Sequence, residues 1–405
     1  MTQTLDAPFT TLSHPSIAAP KGFHADGQHV GLKHKAKDLG WLISDVPAAV
    51  AGVFTTNQIQ AAPVQVTKQT IQNGQLQAIV VNSGNANAVT GQIGLTHAKM
   101  MQTTTANKLG IAPNLVGVAS TGVIGQILPI DTVTAGIHQL QHDGDPQGFA
   151  HAIMTTDTNE KAVTIQGTIA GKQVTMSGVA KGSGMIHPNM ATMLGFITTD
   201  AHITSDLLQQ ALAEDVETSF NQITIDGDTS TNDMVLVMAN GQAGNPLIAQ
   251  DDATYEQFKA MLHHVTTTLA IAIANDGEGA TKLITVTVTH AASATAARLI
   301  AKKVVGSSLV KTAMFGKDPN WGRIIAAIGA TETAITPDTI AISINDYPVM
   351  QAGAPVAFNQ TALANSLEDP HITIQIDLNN GAATGQAWGS DLTYDYVKIN
   401  ALYTT

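Results

Sequence analysis

The chain contains no cysteine among its 405 residues. This absence excludes a disulfide framework, a thiolate metal site and a cysteine nucleophile. Charged residues are also few, at 12%, and aromatic residues make up 4%, whereas apolar residues reach 44%. A disordered chain has the opposite balance, with little apolar and much charged sequence. The composition therefore predicts a well-packed globular protein, and the length predicts two or three lobes.

Long apolar runs and basic runs are missing as well. No stretch of about 18 uncharged apolar residues occurs, as a membrane-spanning helix requires, and residues 1–20 lack the basic start and apolar run of a secretion signal. We therefore expect a soluble cytoplasmic protein without a membrane partner. The formal net charge is −12, with +1 on residues 1–191 and −13 on residues 192–405. Because no basic stripe suits a phosphate backbone, we expect no nucleic-acid partner.

The familiar short motifs of catalysis are absent too. The chain has no Gly-x-x-x-x-Gly-Lys-Ser/Thr loop, no His-Glu-x-x-His and no Gly-x-Ser-x-Gly. Its 14 histidines are scattered, and the adjacent pair His263-His264 lies in a predicted helix, where neighbouring side chains point apart. Zinc ligands on one helix are usually about four residues apart. We therefore expect no bound metal.

The periodicity of the apolar residues predicts a mixed α/β order without an internal repeat or a linker. We expect strands at residues 77–81, 116–120, 162–167, 173–179, 233–239, 283–290, 339–344 and 372–378. We expect helices at residues 96–109 and 253–274, one after an N-cap at Ser205, and one capped by Ser293 that runs to Val305. Residues 315–323 are dense in turn formers and predict a loop.

One stretch, Lys181–Asp200, combines a lysine, a glycine-rich turn and a threonine that follows a small residue. If the backbone bends there, the Thr192 hydroxyl can attack the Ala191 carbonyl and shift the acyl group from nitrogen to oxygen. Hydrolysis would then free Thr192 as a new N-terminus, whose amine, with a pKa of about 7.7–8.0, could serve as its base. On these two residues alone, a structural role for Thr192 at the start of a strand is favoured.

Three other segments also have two interpretations. The polar turn Asn82–Asn87 either reverses the chain or presents amide groups to a ligand, and without context we favour the turn. Thr121 and Gly122 follow a strand, and the free N–H groups there suit either an oxyanion hole or an ordinary strand-to-helix turn. Glu278 lies between two glycines and is either exposed or placed to hold an amine or a proton.

Taken in order, the glycine-rich and polar segments resemble a single family, the bifunctional ornithine acetyltransferases (glutamate N-acetyltransferases), which are similar in mechanism to self-processing threonine hydrolases. The resemblance spans essentially the whole chain, with no departure at the matched positions. It rests on eight segments: Gly52–Asn57, Val81–Asn87, Ser120–Gly125, Met154–Thr158, Lys181–Thr192, Asp226–Asn232, Asp276–Lys282 and Phe315–Arg323.

The resemblance implies an α/β sandwich of two central β-sheets between helical layers, in a precursor that cuts itself between Ala191 and Thr192. The products would be an α chain of residues 1–191 and a β chain of residues 192–405, intertwined in one catalytic unit and assembled as α2β2. The implied substrates are N-acetyl-L-ornithine and L-glutamate, used in a ping-pong cycle of arginine biosynthesis. No bound cofactor is implied, and acetyl-CoA stays open as a second acetyl donor.

The same resemblance implies roles for individual residues. Thr192 matches the nucleophile, and Thr121 and Gly122 match the oxyanion hole. The substrate-contact positions match Thr155, Lys181, Thr192, Glu278, Asn400 and Thr405. By charge, Lys181 suits a substrate carboxylate and Glu278 suits an amino group. Two alternatives remain: a self-processed aminopeptidase or amidase, in which water resolves the acyl-enzyme, and an unprocessed ligand-binding protein.

Overall fold

The structure is a computed structural model that describes residues 9–187 and 193–402. Ala191, Thr192 and Thr405 lie outside these ranges. The strands are β1 (Phe9–Thr11), β2 (Phe23–Gln28), β3 (Leu39–Phe54), β4 (Gln75–Asn85), β5 (Val116–Val123), β6 (Lys161–Ile169), β7 (Lys172–Lys181), β8 (Leu194–Thr199), β9 (Ile223–Thr224), β10 (Met234–Ala239), β11 (Leu283–Ala291), β12 (Ala341–Ile344), β13 (Tyr347–Gln351), β14 (Ala354–Pro355), β15 (His371–Asp377) and β16 (Ala383–Ser390). The helices are α1 (Ala62–Thr70), α2 (Gly91–Leu109), α3 (Ile130–Gln139), α4 (Pro146–Ile153), α5 (Ser205–Asp215), α6 (Ala253–Asn275), α7 (Ala294–Val305), α8 (Ser308–Phe315), α9 (Trp321–Gly329), α10 (Gln360–Ser366) and α11 (Tyr394–Leu402). Short 3₁₀ helices cover Ile71–Asn73, Pro113–Leu115, Phe220–Gln222 and Pro337–Thr339.

The larger sheet has nine strands in the order β1-β6-β7-β8-β10-β3-β4-β5, with β2 also paired to β3. The long strand β3 pairs with β2 in its first half, with β10 in its second half and with β4 on both sides of an irregularity. The register of β3 against β4 shifts between Ile43 and Ala48. Pro47 lies within this shift, and proline has no N–H to donate to a ladder and is found at such irregularities. The shift separates the part of β3 that pairs with β2 from the part that pairs with β10.

The smaller sheet has seven strands in the order β14-β13-β12-β15-β11-β16-β9. Strand β11 alternates along its length, and its buried residues Ile284, Val286 and Val288 pack with residues of α7. Helix α6 contacts both sheets, because its Leu269 shares one hydrophobic cluster with Ile165 of β6 and Trp388 of β16. Two mixed sheets with helices around them confirm the expected α/β fold.

Most elements agree with the prediction from periodicity, and two details were wrong. The N-cap of α5 is Thr204, whose hydroxyl accepts a hydrogen bond from the Leu207 amide at 3.4 Å, so Ser205 is the first helical residue instead of the cap. Both residues are good caps by type, and the sequence does not separate them. Residues 315–323 are also not a continuous loop, because α9 begins at Trp321. Ser293 does cap α7, accepting from the Ala296 amide at 3.1 Å.

Within residues 9–187 and 193–402, no helix has the length and apolar character that crossing a bilayer requires.

Candidate active site

A cavity of about 200 Å³ forms where the ends of several strands and helices meet. Its wall includes the ends of β5 and β7, the loops after α4 and α6, the segment before β10, and α11. The six predicted site residues that the structure describes all line it: Thr121, Gly122, Thr155, Lys181, Glu278 and Asn400. These residues are far apart in the sequence, so the fold brings together what the resemblance implies.

The remaining predicted residues, Ala191, Thr192 and Thr405, lie outside the described residues. The described chain before residues 188–192 borders the cavity. Ile186 is part of the cavity wall. The Met193 carbonyl accepts a hydrogen bond from the Met234 amide at 3.0 Å, which joins the start of β8 to the start of β10.

The turn at Thr121 and Gly122 is held firmly by its surroundings. Gly122 has a φ of +129°, and a side chain there would meet the backbone of Gly84 and Asn85 on the adjacent strand. The Asn232 amide group donates to the carbonyls of Ala86 and Ser120, at 2.6 and 2.8 Å. A turn whose backbone is fixed in this way needs no rearrangement to present donors to a developing negative charge, which is what an oxyanion hole requires.

The asparagines of the turn Asn82–Asn87 serve the turn itself. Asn82 donates to the Asn85 carbonyl at 2.9 Å, and the Asn85 side chain donates to the Gln126 carbonyl at 3.2 Å. Asn87 donates to the Gly94 carbonyl at 2.9 Å. These contacts agree with the structural interpretation, in which the segment shapes the neighbourhood of Gly122 without lining the cavity.

Lys181 ends β7 and is oriented by the loop that carries Thr155. Its ammonium donates to the Thr155 hydroxyl at 3.2 Å. The buried carboxylate of Asp157 accepts from the amides of Thr155 and Gly182, at 2.9 and 2.7 Å. Burial lowers the pKa of Lys181, and the negative charges of Asp157 and Asp233 oppose that shift. The Lys181 side chain is half-buried at the cavity wall, with the carboxylates of Asp157 and Asp233 acting on its ammonium.

A buried ion-pair group supports this loop from behind. The Lys161 ammonium donates to Asp157 at 2.7 Å and to Asp276, at the end of α6, at 2.6 Å. Asp276 also accepts from the amides of Thr158 and Asn159. Burial alone would raise the pKa of Asp157, but Lys161 and Lys181 hold it below its usual value. Three separate parts of the chain are thus joined by one ammonium group.

Glu278 is buried in the cavity wall, with 8% of its surface exposed, so the interpretation as an exposed residue is wrong. Its carboxylate accepts from the Asn400 side chain at 2.7 Å, and its backbone amide donates to the Ser183 carbonyl at 2.9 Å. Gly184 makes room for it, since a Cβ there would lie 2.5 Å from the carboxylate. Glu278 and Asn400 therefore form one polar wall.

Sequence reasoning missed three further side chains of the cavity. The Tyr396 hydroxyl donates to Asp226 at 3.2 Å, and Asp226 also accepts from the amides of Met185 and Ile186. Burial and the charge of Asp226 raise the pKa of Tyr396.

Asp233 is buried, and its Oδ2 has no hydrogen-bond partner among the described residues. Burial raises the pKa of Asp233 well above its usual value, although the positive charge of Lys181 acts to lower it. The density of acidic residues in 226–233 was the available signal.

The cavity wall carries charges of both signs. Lys181 supplies the positive charge, while Glu278, Asp226 and Asp228 supply negative charge. A small molecule with both a carboxylate and an ammonium group can pair with each in turn. Thr121 and Gly122 line the same cavity.

One group of metal-ligand type residues occurs elsewhere on the described surface. His24, His142 and Asp143 bring ligand atoms within 4.8 Å of one another. Both rings already face carboxylates, because His24 Nε2 lies 3.0 Å from Asp45 and His142 Nδ1 lies 2.9 Å from Asp143. None of these residues lines the cavity, so they are not part of its chemistry.

Fold and cavity together define an α/β enzyme with a small, charged, preformed site. The profile of the ArgJ family matches residues 24–405. The chain is 55% identical over 391 residues to the arginine biosynthesis bifunctional protein ArgJ of Streptococcus thermophilus, covering 96% of this chain and 98% of that protein. It is 56% identical to the ArgJ of Listeria monocytogenes over 392 residues, with the same shares covered. The chain therefore belongs to the ArgJ family and is an enzyme of arginine biosynthesis.

Solved structures of this family also resemble the chain. The crystal structure of ArgJ from Bacillus halodurans is 49% identical, with a TM-score of 0.44, and covers 45% of this chain and 98% of that chain. The ornithine acetyltransferase of Mycobacterium tuberculosis, crystallised with ornithine, is 37% identical, with a TM-score of 0.42, and covers 45% of this chain and all of that one.

Proposed function

We propose that this enzyme moves an acetyl group from N-acetyl-L-ornithine to L-glutamate through an ester on Thr192. Membership of the ArgJ family supports acetyl transfer in arginine biosynthesis as the reaction. The observation that carries the residue assignment is the convergence of six predicted residues on one cavity, whose wall also includes Ile186 of the segment Lys181–Thr192.

In the first step, the Thr192 hydroxyl oxygen attacks the acetyl carbonyl carbon of N-acetylornithine. The carbonyl oxygen becomes negative, and the Thr121 hydroxyl and the Gly122 amide donate hydrogen bonds to it. The bond between carbon and the ornithine α-nitrogen then breaks, and the nitrogen takes the proton that left the threonine. Ornithine departs, and the acetyl group stays on Thr192 as an ester.

In the second step, the α-amine of glutamate attacks the ester carbonyl carbon. The same donors stabilise the second negative oxygen. The bond to the Thr192 oxygen breaks, the proton from the amine returns to that oxygen, and N-acetylglutamate leaves. The α-amine of a cleaved Thr192 is our candidate for the group that carries the proton, because its usual pKa of about 7.7–8.0 lies near neutrality.

The charges of the cavity suit both substrates in turn. Lys181 pairs with the carboxylate that the two substrates share. Glu278, held by Asn400, takes the side-chain ammonium of the ornithine donor, and Thr155 holds Lys181 in place. Because one pocket serves both substrates, the donor product leaves before the acceptor enters, as a ping-pong cycle requires.

We further propose that the free threonine arises by self-cleavage between Ala191 and Thr192, giving chains of residues 1–191 and 192–405 that assemble as α2β2. Thr405 would complete the substrate contacts.

A denaturing gel with N-terminal sequencing tests the cleavage. The purified protein should give two fragments, the second starting at Thr192, and Thr192→Ala should give one intact chain without transferase activity. Thr192→Ser, which keeps a hydroxyl, is the matched control and should still be cut. An intact parent chain, or a cut elsewhere, overturns the proposal. Acetate released from N-acetylornithine at the same rate with and without glutamate would instead identify a hydrolase.

A further inference from the structure

Two histidines and two aspartates from separate parts of the chain meet on the surface, away from the active-site cavity. His24 lies on β2, Asp45 on β3, and His142 and Asp143 in the loop between α3 and α4. We call these four residues the histidine-pair site. The two imidazole rings have their centroids 4.0 Å apart and are tilted by 40°. The expectation of no bound metal rests on histidine spacing within one helix, which does not report ligands from three separate elements.

Three donor atoms converge on one side of the ring pair. Asp143 Oδ1 lies 3.2 Å from His24 Nδ1 and 2.9 Å from His142 Nδ1. The ligand atoms of these three residues all lie within 4.8 Å of one another. Ligands that bind one tetrahedral zinc ion at about 2.0–2.2 Å are about 3.3–3.6 Å apart. The three side chains therefore need only small shifts to hold a single ion.

Asp45 lies on the opposite side of the rings. Its Oδ1 is 3.0 Å from His24 Nε2 and 3.8 Å from His142 Nε2. A histidine that binds a metal through one ring nitrogen usually donates its other N–H to a carboxylate, which fixes the ring and makes it a stronger ligand. Asp45 accepts from His24 in this way and lies beside the corresponding nitrogen of His142. The four residues thus have the arrangement of three metal ligands and one supporting carboxylate.

The contacts of this site cannot all be favourable while both rings are neutral and no cation is present. A neutral imidazole has one N–H donor and one bare nitrogen, which can only accept. Both nitrogens of each ring face a carboxylate oxygen, so the bare nitrogen would face oxygen lone pairs. Among the described residues, no Lys or Arg lies within 4.0 Å of Asp45 or Asp143. A divalent cation between the rings and Asp143 would balance the two carboxylates.

The loop between α3 and α4 is held in place by one buried carboxylate. Asp26 of β2 accepts from the amides of Gln141 and Asp145, at 2.8 and 3.1 Å, on either side of the two loop ligands. A Cβ at Gly144 would lie 2.3 Å from the Asp26 carboxyl carbon, so the loop packs closely against β2. Ligands positioned before an ion arrives lower the cost of binding it.

We propose that the histidine-pair site binds one divalent cation of the zinc class through His24 Nδ1, His142 Nδ1 and a carboxylate oxygen of Asp143. Two imidazoles and a carboxylate suit zinc, nickel or copper, whereas calcium and magnesium prefer oxygen ligands alone. Water completes the coordination, because three protein ligands leave one position of a tetrahedral site open. The ion joins β2 to the loop between α3 and α4 and stabilises the folded chain by mass action.

Calorimetry of the untagged, chelator-treated whole enzyme with zinc chloride tests the binding. The parent should bind one zinc ion per copy of the chain. His142→Asn removes a ligand and Asp45→Asn removes the supporting carboxylate, so each should weaken zinc binding at least about tenfold. His290→Asn is the matched control and should bind as the parent does, because His290 is similarly exposed and lies 2.9 Å from Asp377 without a second histidine.

Thermal unfolding with and without zinc gives a second measurement. Zinc should raise the Tm of the parent and of His290→Asn, and should raise the Tm of the two site variants less. No zinc binding by the parent, equal binding by the parent and both site variants, or magnesium binding as tightly as zinc would overturn the proposal. None of the four residues lines the active-site cavity. Acetyl transfer should therefore not depend on zinc, and failure of this proposal leaves the proposed function standing.

Discussion

At the scale of single residues, the positions of the cavity residues are fixed by their contacts with neighbouring residues. Gly122 has a positive φ, and the Gly84 backbone leaves no room for a side chain there. Glu278 can be buried because Gly184 has no Cβ and Asn400 donates to the carboxylate. Such positions are preorganised, which means that their donors and acceptors are aimed before a substrate arrives.

The oxyanion role of Thr121 predicts a specific loss of rate. Thr121→Val keeps the shape but removes the hydroxyl donor, so kcat should fall about 10²-fold or more with little change in KM. Thr121→Ser keeps the donor and should retain most of the rate. Steady-state kinetics with N-acetylornithine and glutamate measure both. Equal rates in the valine and serine variants would remove the hydroxyl from the mechanism.

At the scale of elements, one ammonium joins the start of β6, the loop after α4 and the end of α6. Lys161→Met leaves Asp157 and Asp276 without their cation, and removal of one partner from a buried pair costs about 3–5 kcal/mol. Urea unfolding of the uncut Thr192→Ala chain measures this loss. Lys172→Met, at an exposed position on β7, is the matched control and should change stability by less than about 0.5 kcal/mol.

The same ion pairs predict how that loss depends on pH. Burial raises the pKa of Asp157 and Asp276, but Lys161 together with Lys181 at Asp157, and with hydrogen bonds from Thr158 and Asn159 at Asp276, outweighs it, so folding lowers the pKa of both carboxyls. Their stabilisation is therefore present above the unfolded pKa of about 3.9 and is lost as pH falls through the lower folded values. The cost of Lys161→Met should be largest at neutral pH and shrink in acid. A cost that is constant across this range would contradict the ion-pair account.

Much of the element pattern was predictable, because alternation and helical periodicity record which face of each element is buried. Strand β11 and helix α6 are clear examples. The cavity was predictable only through the family resemblance. Asp233 and Tyr396 are 163 residues apart in number, and only the tertiary fold brings both to the cavity of Lys181. The start of α9 was missed because turn formers lie on both sides of it, Asn320 at the N-cap and Gly322 in the first turn.

For the whole molecule, the nine-stranded sheet mixes strands from both sides of the proposed cut. In the order β1-β6-β7-β8-β10-β3-β4-β5, only β8 and β10 follow residue 191. They lie between β7 and β3, with backbone ladders on both sides. Cutting the chain before Thr192 leaves these ladders in place.

This topology predicts that the two fragments stay together after cleavage. An affinity tag on the fragment of residues 1–191 should retain the untagged fragment in native buffer, and release it only in denaturant. A mixture of separately tagged and untagged enzymes is the control for exchange between molecules. Release of the second fragment in native buffer would contradict the interleaved sheet.

The central claim is that Thr192 carries the acetyl group between the two substrates. The direct measurement is mass spectrometry of the denatured enzyme after mixing with N-acetylornithine in the absence of glutamate. We predict one added acetyl group on the fragment that starts at Thr192, mapped to that residue by peptide fragmentation and removed when glutamate is added. No adduct, an adduct on another residue, or an adduct that glutamate does not remove would contradict the account.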